Sequence, residues 1–92
     1  MTYFVELSDK AEEHLNFHIK AGNKKLINRI YRLFIELSEH PETGTGKPHR
    51  LKHHKSVLWS RSIDSKHRML YTVDNKKVIV VVISLLGHYD DK

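Results

Sequence analysis

Val57-Leu58-Trp59-Ser60-Arg61-Ser62-Ile63, Arg68-Met69-Leu70-Tyr71-Thr72-Val73 and Val78-Ile79-Val80-Val81-Val82-Ile83 follow one another in the second half of the chain. Each run is short and rich in β-branched and aromatic residues, and the region from Arg50 onward repeats with period two. All three are therefore expected strands, with Leu51 in a further one before them. Asp64-Ser65-Lys66 supplies a turn between the first two, and Asp74-Asn75 opens a hairpin into the third. The third run is apolar on both faces, which fits a strand inside a sheet.

Upstream the pattern changes. Tyr3-Phe4-Val5-Glu6-Leu7 reads as one more strand. Ser8 or Asp9 can cap a following helix, and Asp9 with Glu12 has the capping-box spacing. Ala11, Leu15 and Ile19 would share the buried face of that helix. Gly22 suits its left-handed end, and Asn23 can cap the next helix. In the second helix Leu26, Ile30, Leu33, Phe34 and Leu37 recur at 3.6-residue spacing, while Arg29, Arg32, Glu36 and Glu39 lie off that stripe. Pro41 ends it, and residues 42–48 form a loop. The expected order is β-α-α-β-β-β-β. It implies an α+β fold with two N-terminal helices packed on a mostly antiparallel sheet, in a single domain spanning residues 1–92.

The chain has 92 residues, 39% of them hydrophobic, which suits one modest core. Its net charge of +5 is concentrated. Between Pro41 and Arg68, seven Lys and Arg face only two Asp and Glu, and four of the eight histidines lie there too. A basic, histidine-rich patch on an otherwise neutral chain points to a polyanion, most simply RNA or DNA. There is no cysteine, so disulfides and thiolate chemistry are excluded, which fits a reducing cytoplasm. The N-terminal residues lack the pattern of a secretory signal. The apolar run from Val78 to Leu86 falls well short of the ~20 residues that a membrane helix needs.

Several short motifs carry chemistry. Gly44-Thr45-Gly46-Lys47-Pro48 resembles a phosphate loop only superficially, because Pro41 and Pro48 occupy positions where a P-loop needs Gly and Ser or Thr. The stretch gives the backbone freedom and presents Lys47. His14 and His18 have metal-ligand spacing on a helix, but no HExxH pattern surrounds them and two ligands make a poor site. A solvated or half-buried helix face is the expectation there. His53 and His54 would point to opposite faces of a strand, which disfavours a joint metal site and suits a solvated or RNA-facing role. Trp59 reads as core before it reads as a base-stacking platform. Arg68 opens an apolar strand, where it serves either as a strand-end charge or as a phosphate clamp. His88-Tyr89 offer an imidazole and a phenol at the edge of a rigid sheet, suited to proton transfer and base stacking.

Taken together, Gly44-x-Gly46-Lys47-Pro48, Leu51-Lys52-His53, Trp59-Ser60-Arg61, Ile63, His67-Arg68-x-Leu70-Tyr71 and His88-Tyr89 resemble the YoeB/Txe toxins of the RelE/ParE superfamily. The similarity runs from about residue 3 to residue 89. It implies a type II toxin that enters the ribosomal A site and cuts mRNA without a metal or other cofactor. The ribose 2′-hydroxyl would attack the adjacent phosphate, leaving a 2′,3′-cyclic phosphate and a 5′-hydroxyl. By position, Arg68 would stabilise the phosphate charge, His88 would be the general acid, and Tyr89 would orient substrate or stack on a base. Lys47, Arg50, Lys52, His53 and Arg61 would hold RNA, with Lys52 and Arg61 on phosphates. The implied partners are a Phd/YefM-type antitoxin, the ribosome and mRNA. Operator DNA would be reached only through the antitoxin, and a homodimer is plausible.

The departures from that pattern are informative. The family usually has Glu after Gly-Lys-Pro as its candidate base, and this chain has His49. An unperturbed imidazole titrates near ~6.5 and suits a base at neutral pH. His49 with His88 would then form an acid–base pair, and the alternative is a weakened or dead homologue that still binds antitoxin or ribosome. Arg61-Ser62 stands where relatives commonly have two arginines, and Asp90-Asp91-Lys92 extends beyond the usual His-Tyr end. A gyrase poison of the ParE type is a more distant reading, because it needs no acid–base residues of this kind.

Overall fold

The computed structural model describes residues 2–51 and 58–87. Seven elements follow in the order β1 (Phe4–Leu7), α1 (Asp9–Lys20), α2 (Lys24–Glu39), β2 (His49–Arg50), β3 (Leu58–Ser62), β4 (Arg68–Asp74) and β5 (Ile79–Ser84). The expected succession and the α+β class hold. The strands form one sheet in the spatial order β1-β5-β4-β3-β2. β1 runs parallel to β5, and the other neighbours are antiparallel. The apolar run read as an interior strand is β5, flanked by β1 and β4.

Local chemistry explains the boundaries. Ser8, not Asp9, is the N-cap of α1: its Oγ accepts from the Ala11 N–H at 3.1 Å and donates to the Ile83 carbonyl at 3.1 Å. Asp9 is already helical, so its spacing to Glu12 is not used as a capping box. Gly22 ends α1 at φ +74°, and the Asn23 side chain accepts from Leu26 N–H at 3.2 Å to start α2. Asp64 and Asp74 each accept two backbone N–H groups through Oδ1, which closes the two turns of the β3-β4-β5 meander.

Both helices cover one face of the sheet. Leu26, Ile30, Leu33 and Leu37 of α2 pack with Met69, Tyr71 and Val73 of β4, Val80 and Val82 of β5, and Leu85, all buried. Helix α1 corrects one expectation. Ala11 is buried and Leu15 packs against the core, but Ile19 is 47% exposed and His18 takes the inner position at 2%. Among the described residues, no helix covers the opposite face of the sheet. Ser60, Leu70 and His49 lie in register across it on β3, β4 and β2. No helix among the described residues is long and apolar enough to cross a membrane.

Candidate active site

The site grows out of the loop between α2 and β2. Chain direction reverses over residues 40–48, and the reversal is organised from below by Arg61. Its side chain is fully buried and every nitrogen is engaged. Nε donates to Tyr71 Oη at 3.2 Å. Nη1 donates to Glu36 Oε1 and to the Thr45 carbonyl, each at 3.2 Å. Nη2 reaches the carbonyls of Pro41 and Thr43 at 3.1 Å. Tyr71 Oη in turn donates to the Pro41 carbonyl at 2.7 Å. The expected phosphate contact at Arg61 is therefore corrected. Trp59 and Arg61 face Tyr71 and Met69 across the ladder, on the helix-covered side of the sheet, and the guanidinium has no donor left for RNA.

Glu36 completes this framework. Its Oε1 also accepts the Thr45 N–H at 2.9 Å. Burial pushes the carboxyl up, but the Thr45 hydrogen bonds and the Arg61 charge outweigh it, so Glu36 titrates below the ordinary range. Burial likewise raises the Tyr71 phenol above its usual value, against the opposing pull of Arg61. The two loop glycines are steric requirements. A Cβ on Gly44 would run into Glu36 Oε1, and one on Gly46 into the Ser62 carbonyl, both at positive φ. Gly46 O also accepts the Ser62 N–H at 2.8 Å, which docks the loop on β3. Beyond this anchor Lys47 is exposed in a left-handed conformation (φ 50°).

The loop delivers His49 and Arg50 to the sheet edge, both exposed. His49 stands opposite Ser60 and Arg50 opposite Trp59, so the two side chains leave opposite faces. Arg68 stands opposite Ser62 at the start of β4, and its Nε donates to the buried Ser60 Oγ at 2.8 Å. His49, Ser60 and Arg68 thus share the helix-free face. The Arg68 N–H donates to the Gly87 carbonyl at 2.9 Å, which brings the end of the described chain against β4. The remaining expected site residues, Lys52, His53, His88 and Tyr89, lie outside the described residues, as does His54. Trp59 packs against the core, and its Nε1 is buried without a partner among the described residues.

Sequence reasoning missed Ser60 as the residue that orients Arg68. It also missed that His18 turns fully inward, although the half-buried place of His14 was expected. His14 Nδ1 accepts the Leu85 N–H at 3.1 Å, and His18 Nε2 meets the Leu85 carbonyl at 2.9 Å. The signal was present: positions 11, 14, 15 and 18 form a helical stripe, and His18 falls closer to its centre than Ile19.

The chain and its fold have counterparts among known proteins. Residues 8–89 match the family model described as the YoeB-like toxin of bacterial type II toxin–antitoxin systems. A YoeB toxin from Synechocystis sp. is 37% identical over 86 residues, covering 94% of this chain and 93% of that protein. The YoeB dimer from Staphylococcus aureus has a similar structure, with a TM-score of 0.82 at 28% identity, covering 97% of this chain and 100% of that one. The YoeB-YefM complex from Staphylococcus aureus gives 0.78 at 29% identity, with the same coverage. The class is thus that of toxins from bacterial type II toxin–antitoxin systems. Within it, the chain belongs to the YoeB family.

Proposed function

We propose that this toxin is a ribosome-dependent, metal-independent mRNA endonuclease acting in the cytoplasm. The observation that carries the reading is Arg68, held by Ser60 on the same open face as His49 and hydrogen-bonded to the segment that leads into His88-Tyr89. His49 takes the proton of the ribose 2′-hydroxyl as that oxygen attacks phosphorus. Arg68 donates to the equatorial oxygens of the phosphorane, where charge develops. His88 gives a proton to the 5′-oxygen as the P–O5′ bond breaks, and the products are a 2′,3′-cyclic phosphate and a 5′-hydroxyl. Tyr89 orients or stacks on the base, and Lys47, Arg50, Lys52 and His53 hold the strand.

The contact of His49 Nδ1 with the Lys47 carbonyl, at 3.5 Å, supports the base role. A carbonyl only accepts, so this contact favours the Nδ1–H tautomer, in which Nε2 carries the lone pair. The YoeB-YefM complex supports a YefM-type antitoxin as partner, and the YoeB dimer supports self-association. Operator DNA would be met through the antitoxin.

Analysis of RNA ends tests the chemistry. Cleaved message should carry 2′,3′-cyclic phosphates, and Arg68→Ala should lower the single-turnover rate by about 10²–10³-fold. Products with 5′-phosphates would exclude the mechanism. His49→Glu should carry the acid limb of the pH–rate profile downward, since a carboxylate stays ionised to lower pH. An unchanged limb would remove His49 as the base. A folded toxin that binds ribosomes without cutting would instead be the inactive homologue that the exchange of Glu for His allows.

A further inference from the structure

Strand β5 ends at Ser84, and residues 85–87 carry the chain toward the proposed acid at position 88. Three imidazoles from outside this segment hold it. The Leu85 N–H donates to His14 Nδ1 at 3.1 Å, and the Leu85 carbonyl lies 2.9 Å from His18 Nε2. Two residues on, the Gly87 N–H donates to His67 Nδ1 at 2.9 Å. Here Gly87 has φ +78°, a left-handed turn that leaves it without the regular ladder geometry of β5.

These contacts fix protonation states. A backbone N–H can only donate, so Nδ1 of His14 and of His67 must each present a lone pair, with the proton on Nε2. A proton added to either Nδ1 would face an N–H and abolish the bond. His18 differs: its Nε2 faces a carbonyl and donates, so that bond survives in either charge state.

The surroundings act on these rings from several elements. Around His14 stand Lys10, Glu13 and His18 on α1, and Lys10 also lines a depression with Arg68 of β4 and Gly87. His67 has its ring 5.0 Å from that of His18, and its backbone N–H donates to Asp64 Oδ1 at 2.7 Å, with Arg29 acting on the same carboxylate. Partial burial, then the positive Lys10, holds the His14 ring below its ordinary value and favours the neutral form that the Leu85 bond needs.

We propose that His14 and His67 are positioning residues that, as neutral imidazoles, pin residues 85–87 beside Arg68, at the end of the described chain. Protonation of the pair releases that end. The consequence for catalysis rests on the endonuclease reading, whereas the clamp itself does not.

A pH titration of the full chain by nitrogen-15 NMR tests the clamp without any activity. At neutral pH both rings should show the Nε2–H tautomer. On acidification the Leu85 and Gly87 amide signals should move with the same midpoints as the His14 and His67 rings, and their hydrogen exchange should accelerate. His14→Asn, whose amide oxygen offers an acceptor that does not titrate, should free the Leu85 signal from this pH dependence. Amides of Leu85 and Gly87 that stay fixed while the rings titrate would overturn the proposal, as would Nδ1–H tautomers. In single-turnover cleavage the acid limb of the wild type should fall more steeply than the one proton taken up by His49 gives, with KM little changed, and His14→Asn should lose part of that extra steepness. Identical acid limbs would overturn the positioning role. Absence of all cleavage would sink the endonuclease reading and leave the amide titration to decide the clamp.

Discussion

Arg61 shows what one side chain does when a fold buries a cation. Helix, loop and strand partners share its guanidinium, so the charge that looks available for RNA serves the loop presenting Lys47 and His49. Arg61→Ala would leave Glu36 and several carbonyls without their shared donor, and should cost about 3 kcal/mol in chemical denaturation. Arg61→Lys should recover little of this, because one ammonium cannot replace a five-donor fork. Glu36 makes the same network acid-sensitive. Its folded pKa lies below the ordinary 4.5, so its contribution is complete above about pH 4.5 and is lost as pH falls through the lower folded value. Glu36→Gln should flatten the acid side of the stability–pH curve, and an unaltered slope would disprove the coupling. Arg61 was misread because a charge count gives sign without depth. Period-two alternation from Trp59 would have turned it inward, but a lone Arg on a core face is intelligible only once Glu36, 25 residues away, is known to meet it.

At the scale of elements, most of the architecture was legible. Helix α2 announced itself through a clean apolar stripe: of the five residues read into it, Leu26, Ile30, Leu33 and Leu37 are buried and Phe34 is partly buried against the core. Leu33→Ala should cost about 2–5 kcal/mol by leaving a cavity against the sheet. Ile35→Ala, on the exposed side at 63% accessibility, should change stability by about 0.5 kcal/mol or less. Comparable losses at the two positions would contradict the packing described. Helix α1 was less legible. Its inner face mixes Ala11 and Leu15 with two histidines, whose burial depends on backbone groups of Leu85 some 70 residues distant in sequence. The pairing of β1 with β5 was also beyond local pattern, since periodicity marks strands without naming their neighbours. The site divided in the same way. His49, Arg68 and Lys47 were read from motif and resemblance, whereas Ser60 and the three histidines around residues 85–87 emerge only from tertiary contacts.

The whole molecule separates two jobs onto the two faces of one sheet. Helices α1 and α2 close the apolar side, and the loop from α2 to β2 is clamped onto that core so that its far end can present His49 on the open side. The net positive charge gathers on the same part of the chain, from Pro41 to Arg68, where a phosphate backbone would be met. Phosphate contacts of this kind carry affinity without sequence choice, so the site of cutting must be set by what else holds the message, and the ribosomal A site is the proposed holder. Primer extension on a defined mRNA, with and without programmed ribosomes, therefore tests the central claim most directly. The account predicts new 5′ ends within the A-site codon, present only with ribosomes and strongly reduced in Arg68→Ala. Folded protein that leaves the message intact on ribosomes, or cuts naked RNA equally well, would contradict it.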